Sequence, residues 1–138
     1  MKIRRGFTMI ELMIVILIIA VLAAVAIPMM RGRLETAKWS EADATAAQLL
    51  NDTRTYIEKW GTAPASILSL GYAAVTELSG QYFPGTAYAL NPAPAVTDAK
   101  NYTVVVEITK PATVLSGPAK RTLTLTVVNG TGTTAWNP

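Results

Sequence analysis

With 138 residues and a long uncharged apolar stretch near its start, the chain has room for one small globular domain beyond that stretch. Its formal charge of +3 does not indicate nucleic-acid binding, because three of its twelve basic residues lie in the first five positions and nine acidic residues balance the other nine. The absence of histidine and cysteine removes the usual nucleophile–base pairs, soft metal ligands and disulfides, so we expect no catalytic site, cofactor or metal centre.

The N-terminus combines a short basic segment with an apolar run of membrane length. Three basic residues precede Gly6, and residues 12–30 carry no charge. The run is long enough to span a bilayer, and the positive-inside rule places the basic segment in the cytoplasm. In a secretory signal the apolar part precedes the cleavage site and is discarded. A cut after Gly6 would instead leave the apolar helix attached to a mature chain that begins at Phe7.

One acidic residue, Glu11, lies at the start of the apolar run, where a charged group is costly unless it has a partner. Two compatible interpretations remain open. Locally, Thr8 and Glu11 fit a capping box, in which the carboxylate reaches back to the helix N-terminus. In an assembly, Glu11 would pair with the cationic amine of Phe7 on an adjacent subunit in a low-dielectric core. A plain signal anchor would explain the apolar run but requires neither the Gly6–Phe7 junction nor Glu11.

Residues 2–34 resemble the class III leader of type IV prepilins and of the related pseudopilins of type II secretion. The family pattern is a short basic leader, the hexapeptide Gly-Phe-Thr-Leu-Ile-Glu, an apolar helix and a proline near its end. This chain departs from the hexapeptide only at Met9, and its proline is Pro28. The resemblance implies that a membrane-embedded prepilin peptidase and N-methyltransferase cleaves between Gly6 and Phe7 and methylates the new amine of Phe7.

The resemblance also implies partners and a location. Before assembly, the chain would be a single-pass protein of the bacterial inner membrane, in contact with the lipid bilayer and with its N-terminus in the cytoplasm. An inner-membrane assembly platform and a cytoplasmic ATPase would then extrude it into a helical homopolymer. That polymer would be an extracellular pilus or a periplasm-spanning filament.

An amphipathic pattern continues the helix to Trp60, where Gly61 is a natural stop. The predicted apolar stripe has three-and-four spacing and comprises Leu34, Ala37, Ala42, Ala46, Leu49 or Leu50, Thr53, Ile57 and Trp60. Pro28 lies between the membrane half and this amphipathic half, and we expect a kink there because its ring crowds the carbonyl of Ala24. The kink is either a simple bend or a segment that unwinds when subunits pack.

The rest of the chain predicts a connection followed by a sheet. Residues 61–101 form a long loop, with a helical turn near 65–70 and a short strand near 86–90. Alternating apolar and polar residues predict strands at 102–109 and 122–128, and Asn129-Gly130 predicts a tight hairpin. The fold class is therefore α+β, a type IV pilin-like fold in which a long kinked N-terminal helix packs on a small antiparallel sheet of three or four strands.

The resemblance predicts that the chain is a major pilin, the structural subunit of a type IV pilus-like filament. We divide the chain into a cleaved leader at 1–6, a membrane and filament-core helix at 7–30, its amphipathic continuation at 31–60, and a globular head at 61–138 whose sheet occupies 102–136. One alternative is the major pseudopilin of a type II secretion system. That relative usually has an acidic calcium-binding loop near its C-terminus, whereas residues 132–138 of this chain contain no aspartate or glutamate. The other is a minor pilin that acts as an adhesin or DNA-uptake module through the 61–101 loop.

Overall fold

The structure is a computed structural model that describes residues 6–90, 95–114 and 117–137. Residues 1–5 of the predicted leader and 91–94 of the predicted connection lie outside the described residues. The elements in chain order are helix α1 (Met9–Trp60), three 3-10 turns (Ile67–Leu70, Val75–Leu78, Gly85–Ala87) and strands β1 (Tyr88–Leu90), β2 (Ala95–Asp98), β3 (Asn101–Thr109), β4 (Lys120–Val128) and β5 (Thr131–Asn137). The chain divides into two compact units, Met1–Thr36 and Ala37–Pro138.

In the first unit, the described residues form the N-terminal part of α1. The helix begins at Met9, two residues later than the predicted start, and its side chains are almost all exposed. It runs without interruption through Pro28, although proline cannot donate the backbone hydrogen bond of an ordinary residue. One turn later, the Thr36 hydroxyl donates to the carbonyl of Gly32 at 3.2 Å. The kink at Pro28 stays a prediction.

In the second unit, the remainder of α1 buries one face in the core. The buried residues recur at helical spacing and are Trp39, Ala42, Ala46, Leu49, Leu50, Thr53 and Ile57. The Thr53 hydroxyl, which would be an unsatisfied polar group in this core, donates to the carbonyl of Leu49 at 2.8 Å. The predicted stripe is therefore confirmed over its central part.

Both ends of the predicted stripe are wrong. Leu34, Ala37 and Trp60 are exposed, whereas Trp39, which the pattern had not selected, is 6% exposed. The Trp39 ring packs against Phe83 with 5.1 Å between ring centroids. Trp39 precedes Ala42 by three residues and so shares the helical period of the buried face, whereas the predicted stripe continues through Ala37 and Leu34 instead.

The connection after α1 is anchored by a carboxylate of the helix. Glu41 Oε1 accepts hydrogen bonds from the backbone N–H groups of Tyr82 at 2.9 Å and Phe83 at 3.1 Å. These bonds hold Phe83 in the core, where it is fully buried. The predicted turn near 65–70 is present as the first 3-10 turn, and the predicted short strand near 86–90 is present as β1.

The sheet is antiparallel, with the strand order β1-β3-β4-β5, and β2 pairs with β3 outside that path. Strands β3 and β4 alternate as predicted, and their buried residues are Tyr102, Val104, Val106, Ile108, Leu123, Leu125 and Val127. Asn129 and Gly130 both have positive φ, at 53° and 81°, as the tight turn between β4 and β5 requires. The described residues thus contain five strands, because β2 lies within the stretch predicted to be loop.

Candidate processing and assembly site

The predicted cleavage junction lies on exposed chain immediately before the helix. Gly6 and Phe7 precede the first helical residue, and Phe7 is 83% exposed. A Cβ atom built on Gly6 would meet no atom within 4 Å. The peptide bond between Gly6 and Phe7 is therefore accessible, and no packing within the described chain requires glycine at this position. Cleavage and methylation at these residues stay predictions.

The local interpretation of Glu11 is seen directly as a capping box. Glu11 Oε2 accepts hydrogen bonds from the backbone N–H and from the hydroxyl of Thr8, each at 2.8 Å. In return, the backbone N–H of Glu11 donates to the Thr8 hydroxyl at 3.3 Å. This reciprocal arrangement satisfies N–H groups that every helix leaves unpaired at its start. Both bonds use Oε2, and none of the described residues donates to Oε1.

The surface that follows Glu11 is apolar and uncovered. From Phe7 to Met30, seventeen large apolar side chains are each at least 50% exposed. Burying one such side chain contributes roughly 1.5–3 kcal/mol. This part of α1 is long and apolar enough to cross a membrane. An exposed apolar surface of this extent indicates a partner outside the chain, either lipid or protein.

A second polar cluster joins the helix to the C-terminal strands. The Arg121 Nη1 donates to both carboxylate oxygens of Asp43 at 2.9 Å, and its guanidinium lies 5.3 Å from the Trp39 ring centroid and 4.9 Å from that of Trp136. Burial raises the pKa of Asp43, and the nearby Arg121 opposes that rise. Sequence reasoning missed this cluster, because the two charged residues are 78 positions apart.

The described residues contain no group of three or more histidine, cysteine, aspartate or glutamate side chains that could hold a metal ion. The carboxylates of Glu11 and Asp43 are engaged in capping and in an ion pair, respectively. The N-terminus presents an exposed Gly6–Phe7 bond and a capped carboxylate beside an apolar helix.

Comparison with known proteins identifies the same segment. Residues 1–27 match a family model described as the prokaryotic N-terminal methylation motif. Over 135 residues the chain is 30% identical to the fimbrial protein EcpC of Eikenella corrodens, an alignment that covers 98% of this chain and 82% of that protein. The chain belongs to the type IV pilin family. No solved structure matches this pilin significantly.

Other relatives of this pilin come from Neisseria. It is 39% identical over 79 residues to the fimbrial protein of Neisseria meningitidis serogroup A, which covers 57% of this chain and 46% of that protein. It is 38% identical over 79 residues to the type IV major pilin protein PilE of Neisseria gonorrhoeae, covering 57% and 47% respectively. The pilin thus spans about half the length of these Neisseria relatives.

Proposed function

We propose that this pilin is the major structural subunit of a type IV pilus-like filament and polymerises through its N-terminal helix. The observation that carries the proposal is the exposed apolar surface from Phe7 to Met30, which begins beside the capped carboxylate of Glu11. The relatives named as fimbrial proteins and as a major pilin support it. The apolar core of the head is buried within the described chain, whereas this N-terminal surface is exposed. A subunit that polymerises through this surface would have this distribution.

The first step of the proposal is membrane storage and processing. The apolar half of α1 spans the inner membrane once, with the N-terminus in the cytoplasm, and lipid covers its side chains. A prepilin peptidase cleaves after Gly6, removing residues 1–6, and methylates the amine of Phe7. The match to the N-terminal methylation motif and the exposure of the junction support this step.

The second step is assembly, driven by an assembly platform and a cytoplasmic ATPase. Residues 7–30 exchange lipid for the same segment of neighbouring subunits, residues 31–60 continue the helix and residues 61–138 form the exposed head. Glu11 Oε1, to which none of the described residues donates, accepts the Phe7 amine of a neighbour. A lone charge in an apolar core is costly, so the pairing selects the register in which both charges are satisfied.

The experiment is electron microscopy of fibres sheared from cells that express the full chain as their only pilin, paired with mass spectrometry of the fibre protein. We expect long external filaments whose N-terminal residue is methylated Phe7. Short periplasmic filaments, together with failed export of secreted proteins when the chain is deleted, would instead identify a type II secretion pseudopilin. A permanently uncleaved monomer in the membrane would refute the proposal altogether.

A variant at the junction separates processing from folding. Gly6→Val adds a side chain into open space in the structure, so we expect the head to fold normally. The same branched side chain should block the peptidase, leaving a full-length precursor in the membrane and no fibres. Phe7→Leu is the matched control, since it changes the other side of the bond but keeps an apolar first residue.

A further inference from the structure

A cleft of about 310 Å³ lies within the second unit, between the end of α1 and the 3-10 turn at Ile67–Leu70. One wall is a stripe at helical spacing on α1 that flanks the buried face, and its residues are Asp52, Thr55, Tyr56, Lys59 and Trp60. The other wall comprises Ser69, Leu70 and Gly71. This volume is at the lower end of the range that small-molecule sites occupy.

The helical wall presents aromatic surface to solvent. Trp60 is 62% exposed, although the apolar period of α1 predicted that it would be buried. Its ring centroid lies 6.4 Å from that of Tyr56, with the two planes inclined at 40°. Across the cleft, Gly71 has a φ of 105° and nothing within 4 Å of a built Cβ, so a ligand could approach the backbone closely.

The polar groups of the cleft are held in place by neighbours. The Tyr72 hydroxyl donates to Asp52 Oδ2, and Gln48 Nε2 donates to the Tyr72 oxygen at 3.4 Å. This chain of hydrogen bonds orients the Asp52 carboxylate. The Lys59 ammonium lies 5.2 Å from the Trp60 ring centroid, so one fixed acceptor and one donor flank the aromatic surface.

We propose that this cleft binds a neutral pyranose sugar. A pyranose has an apolar C–H face that stacks on an aromatic ring, and hydroxyl groups that both donate to a carboxylate and accept from an ammonium. Asp52 and Lys59 contribute opposite charges, so the cleft favours an uncharged ligand. An anion would meet the Asp52 carboxylate, and an organic cation would compete with Lys59 for the Trp60 ring.

The test is saturation-transfer NMR on the full chain in detergent micelles, with the methyl glycosides of glucose, galactose and N-acetylglucosamine each titrated alone. We expect saturable transfer to the C–H protons of one sugar face, with an affinity in the millimolar range. Trp60→Ala should weaken binding about tenfold or more, because the stacking surface is lost. Trp136→Phe is the control, since it alters an aromatic ring outside the cleft.

A second variant tests the polar half of the site. Asp52→Asn retains an oxygen that can accept from Tyr72 but removes the negative charge, and we expect weaker binding with an unchanged near-ultraviolet circular dichroism spectrum. No saturable transfer from any of the three glycosides would overturn the proposal. Unchanged affinity in a folded Trp60→Ala variant would overturn it as well, since binding would then lie elsewhere.

Discussion

The two halves of α1 bury their apolar side chains in different ways. In the N-terminal half, every large apolar side chain from Phe7 to Met30 is at least half exposed, whereas the buried apolar residues between Trp39 and Ile57 are 6% exposed or less. Since burial contributes roughly 1.5–3 kcal/mol per large side chain, the second half is stabilised by its own head. The first half has no such cover among the described residues, so the same energy would have to come from a partner outside them.

Charge follows the same division. Asp43 in the head has its partner, Arg121, within the same chain, and the Arg121 guanidinium also lies near the rings of Trp39 and Trp136. The Glu11 carboxylate in the apolar half accepts hydrogen bonds only from Thr8 among the described residues. Glu11 is thus capped but has no positively charged partner among the described residues. The proposed pairing with the Phe7 amine of another copy would supply one.

The largest effect that we predict separates the two roles of Glu11. Glu11→Gln keeps the capping box, because an amide oxygen can accept from Thr8, but removes the charge. We expect normal insertion and processing, with fibre yield reduced to a small fraction of wild type on electron micrographs and immunoblots of sheared cells. Glu11→Ala should assemble equally poorly.

The matched control is Glu58→Gln, which removes an exposed carboxylate paired with Arg54 in the head. It should leave fibre yield unchanged. Wild-type yield from Glu11→Gln combined with loss in Glu11→Ala would assign the defect to helix capping. That result would remove the charge pairing from the proposed assembly.

The next prediction compares equivalent truncations in the two halves. Leu49 is fully buried, so Leu49→Ala should lower the free energy of unfolding of the head by about 2–5 kcal/mol. Leu17 is 64% exposed, so Leu17→Ala should change it by less than about 0.5 kcal/mol while still reducing fibre yield. The measurement is urea unfolding of the full chain in micelles, followed by tryptophan fluorescence. Equal destabilisation by both variants would show that the halves unfold as one cooperative unit.

A smaller effect is expected at the Asp43–Arg121 pair. Arg121→Ala leaves the partly buried carboxylate of Asp43 unpaired and removes the cation that stacks on Trp136, at a cost of about 2 kcal/mol in the same assay. Arg54→Ala breaks an exposed ion pair with Glu58, one helical turn away. It should lower the free energy of unfolding by less than about 0.5 kcal/mol. If the two substitutions cost the same, the pair between helix and sheet would have no special role.

A structural feature could be predicted from the sequence when its interactions are local, and could not when they join residues far apart in the chain. The N-terminal motif, the alternation of β3 and the Asn129-Gly130 turn are local patterns, and each could be identified by inspection. Strand β2 could not, because it is held by pairing with β3 rather than by its own alternation. The contact between Asp43 and Arg121 depends on the register between a helix and a strand, which no local period specifies.

Trp60 shows the converse limit. Helical periodicity predicted Trp60 to be part of the buried stripe. The residue is the last of α1, and it lines the cleft instead. A helical period indicates which residues share a face of the helix, but it does not indicate how far along the helix that face is packed against the rest of the head. The N-terminal methylation motif was predictable for a different reason, since a linear motif such as residues 1–27 does not depend on tertiary contacts.

The smallest predicted effect concerns alkaline pH and lies wholly within the head. Burial, followed by the neighbouring Asp52, raises the pKa of Tyr72 to about 12. Its unfolded value is near 10, so the neutral phenol contributes stability that is fully present below pH ~10 and is lost as the pH rises through about 12. Tyr72→Phe cannot ionise, so its free energy of unfolding should fall less steeply over this interval.

The measurement is urea unfolding at a series of alkaline pH values, with phenolate absorbance of the folded chain recorded in parallel. The control is Tyr56→Phe, which alters a neighbouring aromatic residue of the cleft wall. Asp52→Asn should bring the Tyr72 titration part of the way back towards its ordinary value, because burial remains after the charge is removed. A slope in Tyr72→Phe as steep as in wild type would show that the alkaline sensitivity of the head arises from other groups.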